Sequence, residues 1–325
     1  MKNVNLSRFI ACLTAGLLLA VGAARAGTYP GKPIKLVVPF APGGGVDLIA
    51  RVLGPQLAAQ MGQPVIIENK PGASANIGAD FVVKAAPDGY TILLAANGLA
   101  ANATLFPNAP FNPLKDFAPL AKVGSAPLVV IVAQNSPLKS LQDLLDTAKK
   151  NPKALTFASA GNGSSQHLAG EMLKMVAHID ALHVPYKGGA PAMTDILGGR
   201  ISFMVQNPLE AMPLLNGHRL RALAVASDER LALLPDVPTA AQAGLPGYEA
   251  SVWWGFVAPA KTPKAIVDRL NAEIVKALND AKTREKLVHM GVVIEPSTPE
   301  QFGKFLKSEV AKWAKVIKTA GIKVN

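Results

Sequence analysis

Three glycine- or serine-rich turns carry the groups best suited to bind an anion. They span residues 41–47, 72–76 and 161–167, and each follows an apolar run with strand character and precedes a helical pattern. The first amides of a helix have no partner within the helix, and the helix dipole adds partial positive charge there. Glycine lets an anion approach that backbone closely. Because α/β sheets bind ligands at the carboxyl ends of their strands, the three turns predict one shared carboxylate site.

The polar side chains of these turns each have two interpretations. Asp47 either caps its helix or contacts a ligand, and Ser164 and Ser165 either cap a helix or donate hydroxyls to an anion. His167 is either a donor to the ligand or an ordinary histidine. The hydroxyl of Tyr186, which stands next to a lysine at the end of a strand-like run, suits a carboxylate. These alternatives stay open at the level of the sequence.

The motifs of common enzymes are missing from the sequence. There is no Gly-x-Ser-x-Gly elbow, no P-loop and no Gly-x-Gly-x-x-Gly. His178 and His183 are five residues apart, which is a weak metal signal. We therefore expect no catalytic residue, no metal site and no cofactor. The alternative is an exported hydrolase or isomerase that uses Ser164 and His167, but no acid is placed to complete a triad.

The N-terminus predicts export to the periplasm. Lys2 and Arg8 precede an apolar run over residues 9–23, and Ala-Arg-Ala at 24–26 is typical of a signal-peptide cleavage site after Ala26. The run is shorter than the roughly 20 residues of a membrane span. The only cysteine, Cys12, lies in this segment, so the mature chain would be held by its core without disulfides.

Charge and length narrow the class of protein further. The formal net charge is +11, but the basic residues are scattered and no basic run with interleaved aromatics occurs. An exported chain of this kind is not expected to bind nucleic acid. A length of 325 residues suggests two domains.

Strand and helix patterns alternate along the chain, which predicts an α/β fold with largely parallel strands. No low-complexity linker divides it, so we expect two lobes joined by more than one crossing. The prediction is a signal peptide over 1–26, a first lobe made of 27–125 and 250–325, and a second lobe, 126–249, inserted into the first.

Several segments closely resemble the substrate-binding proteins of tripartite tricarboxylate transporters, the Bug receptors. The resemblance covers essentially the whole mature chain, in order, and is carried by the segments at 38–51 (VPFAPGGGVDLIAR), 68–79 (ENKPGASANIGA), 86–94, 161–171 (GNGSSQHLAGE), 183–188 and 220–225. It implies a two-lobed periplasmic binding protein of type II, the Venus-flytrap class, with a mainly parallel sheet and flanking helices in each lobe. The implied role is capture of a small carboxylate solute by a monomer that delivers it to inner-membrane transporter subunits. A receptor that presents its solute to a sensor protein is the alternative.

The resemblance also implies the ligand contacts, position by position. In the first lobe they are Phe40, Ala41, Gly44, Gly45, Val46, Asp47, Ala73, Ser74, Asn76 and Asn97, and in the second Ser164, Ser165, His167, Tyr186 and Gln206. The family often has aspartate at the position of Gln206. Since glutamine cannot match the charge of a ligand amine, we expect an amine-free carboxylate. Ser74 and Ala75 replace commoner glycines, so the local shape of the cleft should differ.

Overall fold

The computed structural model describes residues 29–152 and 154–323. The predicted signal peptide and its cleavage site fall on residues 1–28 and lie outside the described residues. From Lys32 onward the chain forms one compact unit. None of the helices in the described ranges combines the length and apolar character that a membrane crossing requires.

One sheet has six strands. These are β1 (Ile34–Val38), β2 (Val65–Asn69), β3 (Thr91–Ala96), β4 (Phe117–Pro127), β10 (Ser251–Pro259) and β11 (Val293–Ile294). Their order across the sheet is β11-β4-β10-β3-β1-β2. The sequence IKLVV of β1 is almost entirely buried, as expected for a strand covered on both faces.

The other sheet has five strands. These are β5 (Val129–Ala133), β6 (Thr156–Ser159), β7 (Leu182–Pro185), β8 (Phe203–Gln206) and β9 (Leu220–Val225). They lie in the order β7-β6-β8-β5-β9. The run VVIVA of β5 is buried along its whole length.

Helices connect and cover the strands. They are α1 (Gly45–Met61), α2 (Asn76–Val83), α3 (Asn97–Leu105), α4 (Leu141–Lys150), α5 (Ser165–Ala177), α6 (Gly189–Leu197), α7 (Pro208–Asn216), α8 (Lys264–Asn279), α9 (Ala281–His289) and α10 (Pro299–Thr319). The predicted α/β class with two sheets is confirmed. α1, α3, α5, α6 and α7 each begin within about seven residues of the end of the preceding strand.

The expectation of largely parallel strands is wrong, because both sheets are mixed. β1 lies parallel to β2 and β3, and β6 lies parallel to β7 and β8. β10 is antiparallel to β3 and β4, β11 to β4, and β5 to β8 and β9. Parallel neighbours need a crossover, usually a helix. β5 instead follows β4 after the single residue Leu128, and β10 is reached from β9 through turns and bends over 226–250 without a helix, so neither direction is imposed by a βαβ unit.

The chain passes between the sheets at two places that lie side by side. Leu128 separates β4 from β5, and Ala250 precedes β10. Leu128 N donates to Ala250 O at 2.9 Å, Ala250 N to Ala226 O at 2.9 Å, and Ala226 N to Leu128 O at 2.8 Å. These backbone bonds tie the connecting segments together.

A buried cluster of aromatic side chains anchors β10 to the C-terminal helix. Trp253 packs edge-to-face against Phe302, with ring centroids 5.9 Å apart. The buried Glu309 of α10 accepts the indole N–H of Trp253 and that of Trp313, each at 2.9 Å. The two indoles satisfy a carboxylate oxygen that would otherwise be costly to bury.

Candidate functional site

A small cavity lies where strands of both sheets end and helices begin. We call it the inner cavity; it is lined by Phe40, Gly44, Gly45, Val46, Ala96, Gly98, Ala160, Ser164, Ser165, Gln166, Gly189, Asn207, Glu210, Val252 and Trp254. The starts of α1 and α3 on one side, and of α5, α6 and α7 on the other, contribute to this lining. Its free volume is about 30 Å³, which is room for one or two water molecules.

A wider depression shares two residues, Phe40 and Ala160, with the inner cavity. We call it the outer hollow; it is lined by Pro39, Phe40, Gly72, Ala73, Ser74, Ala75, Ala160, Gly161, Asn162, Pro185, Tyr186, Lys187 and Pro191. Its volume is about 640 Å³. It is likewise lined by loops that follow strands of both sheets.

Backbone amides at two helix starts in the inner cavity have no partner in the protein. In the described part of the chain, no acceptor takes the backbone N–H of Val46 in α1, or those of Ser165 and Gln166 in α5. Such amides, reinforced by the helix dipole, bind anions. The two helices follow strands of different sheets, so one anion between them would contact both lobes.

Glu210 is a lining residue that the sequence reasoning missed. Its Oε1 accepts the N–H of Gly45 at 2.8 Å and Nδ2 of Asn207 at 2.7 Å. Its Oε2 accepts Nε2 of Gln206 at 3.2 Å. Burial raises the pKa of the Glu210 carboxyl, and the hydrogen bonds from Asn207, Gly45 and Gln206 only partly oppose this. A carboxylate of the protein thus accepts the hydrogen bond of one of the amides that were expected to bind the solute.

Two glycines make this contact feasible. A Cβ on Gly189 would overlap the Glu210 carboxylate, and one on Gly45 would lie 3.0 Å from Nδ2 of Asn207. The start of α7 could have been found from the sequence, because Asn207 followed by Pro208 is a typical N-cap and first helical residue. Gln166, Gly189, Asn207, Ala96, Gly98, Ala160, Val252 and Trp254 are the other lining residues that were not predicted.

Six of the predicted first-lobe residues line the two spaces. Phe40, Gly44, Gly45 and Val46 line the inner cavity, and Phe40, Ala73 and Ser74 line the outer hollow. The other four, Ala41, Asp47, Asn76 and Asn97, line neither space. Ala41 donates its N–H to Lys187 O at 3.3 Å, across to the second lobe, and Oδ1 of Asn76 accepts Nδ2 of Asn102 at 2.8 Å.

Asp47 holds the turn before α1 instead of lining either space. Its buried carboxylate accepts Gly43 N at 2.9 Å, Arg51 Nε at 2.7 Å and Asn69 Nδ2 at 2.9 Å. Burial alone would raise the pKa of Asp47, but the hydrogen bonds from Arg51, Gly43 and Asn69 and the charge of Arg51 outweigh it, so that the pKa is lowered. Asp47 therefore fastens the turn that precedes α1, and it neither caps the first amides of the helix nor lines either space.

Asn97 fastens the strand β10. Its Nδ2 donates to Ser251 O at 3.0 Å, and its Oδ1 accepts the N–H of Trp253 at 3.0 Å. The residue is buried and lines neither the inner cavity nor the outer hollow. Its side-chain amide therefore stabilises the start of β10, where the chain returns to the first sheet.

In the second lobe, Ser164 and Ser165 line the inner cavity, and Ser164 is the N-cap of α5. The Ser164 hydroxyl donates to Gly161 O at 2.6 Å, and that of Ser165 donates to Oε1 of Gln166 at 3.1 Å. Tyr186 lines the outer hollow, and its hydroxyl donates to Asp195. Burial, followed by this bond, raises the pKa of Tyr186 to about 12.

His167 and Gln206 lie behind the cavity wall. Nδ1 of His167 accepts the N–H of Gly163 at 3.0 Å, and its ring stacks on His183 with centroids 4.2 Å apart. Gln206 is buried, and its Oε1 accepts Nε2 of Gln166 at 3.0 Å. The Ser164 hydroxyl donates to a carbonyl and not to the His167 ring, so the pair lacks the geometry of an activated nucleophile.

The two stacked histidines are held neutral. Burial, followed by the charge of Lys174, lowers the pKa of His167 to about 4. Burial, followed by His167 and Lys174, lowers the pKa of His183 to about 3. Neither ring therefore supplies positive charge to the site at neutral pH.

Comparison with known proteins identifies the chain. Residues 49–322 match the model of the tripartite tricarboxylate transporter family receptor, TctC. The chain belongs to this family. It is 36% identical to Protein BugT of Bordetella pertussis over 329 residues, which cover 99% of this chain and 100% of BugT. The resemblance inferred from the sequence is confirmed.

Solved structures of family relatives have the same fold. The periplasmic binding protein BugD is 36% identical, with a TM-score of 0.87 over 91% of this chain and 99% of its own. An R. palustris protein solved with adipate is 34% identical, with a TM-score of 0.88 over 91% and 99%. MatC of Rhodopseudomonas palustris, solved with malate, is 33% identical, with a TM-score of 0.85 over 89% and 100%. The two-lobed periplasmic binding fold is confirmed.

Proposed function

We propose that this chain is a periplasmic receptor that captures a small carboxylate solute between its lobes and delivers it to inner-membrane transporter subunits. The observation that carries the proposal is the pair of helix starts, α1 and α5, whose unpartnered amides at Val46, Ser165 and Gln166 line one cavity. Relatives solved with adipate and malate support the carboxylate class. No cofactor is needed for this role, and a monomer is sufficient.

The affinity that transport requires is within reach of these groups. A micromolar dissociation constant corresponds to about −8 kcal/mol. Each charge-assisted hydrogen bond contributes about 1.5–3 kcal/mol, and the apolar lining from Phe40, Val252 and Trp254 adds burial. Three amides and an apolar wall can supply this free energy after the ordering of the solute is subtracted.

Binding requires the lobes to separate and close again. The inner cavity holds only one or two water molecules, and contacts such as Gly45 to Glu210 and Ala41 to Lys187 bridge the lobes. Residues 27–125 with 250–325, and residues 126–249, are the proposed lobes, and the tied segments at Leu128 and Ala250 are the proposed hinge. Solute then shifts the population toward the closed form.

A thermal-shift screen of the chain without residues 1–26 tests the proposal. The panel holds mono-, di- and tricarboxylates and aromatic acids, with neutral sugars as controls. A solute at about 100 times its dissociation constant should raise the free energy of unfolding by about 2.7 kcal/mol. Absence of stabilisation by every acid would contradict the proposal.

Export and delivery are tested in cells. We propose that residues 1–26 act as a cleavable signal peptide, so the mature protein should begin at Gly27 in a periplasmic fraction. Solute uptake should be lost in a deletion strain if the partner is a transporter. Retained uptake together with a lost transcriptional response would indicate a sensor partner instead.

A further inference from the structure

Among the described residues that line the inner cavity, Glu210 is the only one with a charged side chain. Its carboxylate accepts the N–H of Gly45, the first residue of α1, at 2.8 Å. That amide is one of those that the sequence assigns to the carboxylate of a solute. A side chain from the second lobe therefore stands at an anion position of the first.

Neutral hydrogen-bond donors surround Glu210, and no cationic side chain pairs with it in the described structure. In the described ranges, no lysine, arginine or histidine forms an ion pair with it, and its partners are the neutral groups of Gly45, Asn207 and Gln206. The helix starts that contribute to the lining of this cavity, those of α1, α3, α5, α6 and α7, add partial positive charge. Burial already raises the pKa of Glu210 and disfavours its charged form, so a further carboxylate in this cavity would be disfavoured as well.

Position 206 fits the same arrangement. Nε2 of Gln206 donates to Oε2 of Glu210 at 3.2 Å. A second carboxylate at 206 would repel Glu210 across this contact in a poorly solvated cavity.

We infer that Glu210 is a specificity-determining residue, a built-in carboxylate that takes the place of one carboxylate of a diacid, so that the receptor selects solutes with one carboxylate. The inference rests on the proposed function and narrows its solute class. The solute carboxylate would bind the free amides of Val46, Ser165 and Gln166. A second carboxylate would meet Glu210 without a compensating cation, whereas a neutral polar or apolar group would not.

Matched pairs of solutes test the inference by calorimetry on the mature protein. Succinate is compared with succinamate and adipate with adipamate, because each monoamide differs from its diacid by one charge at nearly constant shape. The variants are Glu210→Gln and Glu210→Ser. The control is Glu171→Gln, which removes a carboxylate of α5 that pairs with Lys174 outside both cavities.

For the wild type we expect each monoamide to bind at least tenfold tighter than its diacid. Glu210→Gln and Glu210→Ser should reduce that ratio at least tenfold, and Glu171→Gln should leave it unchanged. The wild-type ratio is informative even if a variant fails to fold. Diacids that bind the wild type more tightly, or a ratio that folded Glu210 variants leave unchanged, would overturn the inference while the carboxylate receptor stands. Failure of all carboxylates, including the monoamides, to bind would overturn the proposed function and this inference with it.

Discussion

Backbone groups, not basic side chains, form the proposed anion site. The amides of Val46, Ser165 and Gln166 line the inner cavity without a protein partner, while the hydroxyls of Ser164 and Ser165 donate within the protein. Sequence identified these turns because glycine, serine and helix-start signals are local. It missed Glu210 because that residue meets Gly45 across 165 positions of the chain, and no local pattern records such a contact.

The stacked histidines predict a loss of stability in mild acid. Their pKa values of about 4 and about 3 in the folded state lie below the ordinary 6.5, so the unfolded chain binds protons first as the pH falls. Stability should therefore be complete above about pH 6.5 and fall toward pH 4, by about 3 kcal/mol for His167 alone.

Urea unfolding of the wild type and of His167→Gln between pH 7.5 and pH 4 measures this effect. The variant should show a shallower loss over that range. His218→Gln, which changes an exposed histidine, is the control and should follow the wild type. Equal slopes for His167→Gln and the wild type would show that His167 is not held neutral by burial.

A strained loop lines the outer hollow. Ala73, Ser74 and Ala75 have φ values of 44°, 59° and 74°, which favour glycine. Glycine would adopt these backbone angles without the strain that a Cβ causes. Ser74→Gly should raise the free energy of unfolding by about 0.5–1 kcal/mol, after allowance for the more flexible unfolded chain. Ser74→Ala keeps the strain and should show no gain; a Ser74→Gly variant less stable than Ser74→Ala would contradict this account.

At the scale of elements, Asn97 links the start of α3 to β10. The family resemblance implied a ligand contact at Asn97, but the side chain bonds a strand about 150 positions away, which no local pattern indicates. Two backbone groups of β10 depend on its side chain. The residue therefore has a structural role that the structure, not the local pattern, reveals.

The Asn97→Ala variant distinguishes a structural role of Asn97 from a role in ligand binding. The change leaves the buried N–H of Trp253 without its acceptor and removes a donor from the carbonyl of the exposed Ser251, so we expect a loss of about 1–3 kcal/mol in chemical denaturation. Solute affinity of the folded variant should stay within about threefold, and exposed Asn108→Ala should change neither quantity. A large loss of affinity at unchanged stability would return Asn97 to the ligand contacts.

At the scale of the molecule, alternating patterns predicted two α/β lobes but not the direction of every strand. β1 to β3 follow the parallel pattern because helices return the chain. β10 is antiparallel to its neighbours, and it comes back from the second sheet through turns and bends over 226–250 and not through a crossover helix. Strand direction at such crossings depends on the route of the connection, which periodicity does not encode.

We expect the two lobes to close when solute binds. The cavity of about 30 Å³ is too small for a dicarboxylate or an aromatic acid to enter without separation of the lobes. Small-angle scattering should show a larger radius of gyration for the protein without solute than for the protein saturated with a bound acid. A neutral sugar is the control, and identical curves with and without bound acid would contradict a moving cleft.

Comparing Ser165→Pro with Ser165→Ala shows whether helix-start amides bind the solute carboxylate. Ser165 is the first residue of α5, and Ser164 before it is extended with φ −65° and ψ 160°, so proline removes one cavity N–H at a position that tolerates it. Calorimetry with the tightest acid found should show Ser165→Pro weakened about 10- to 100-fold and Ser165→Ala within about threefold of the wild type. Wild-type affinity in folded Ser165→Pro would contradict the claim.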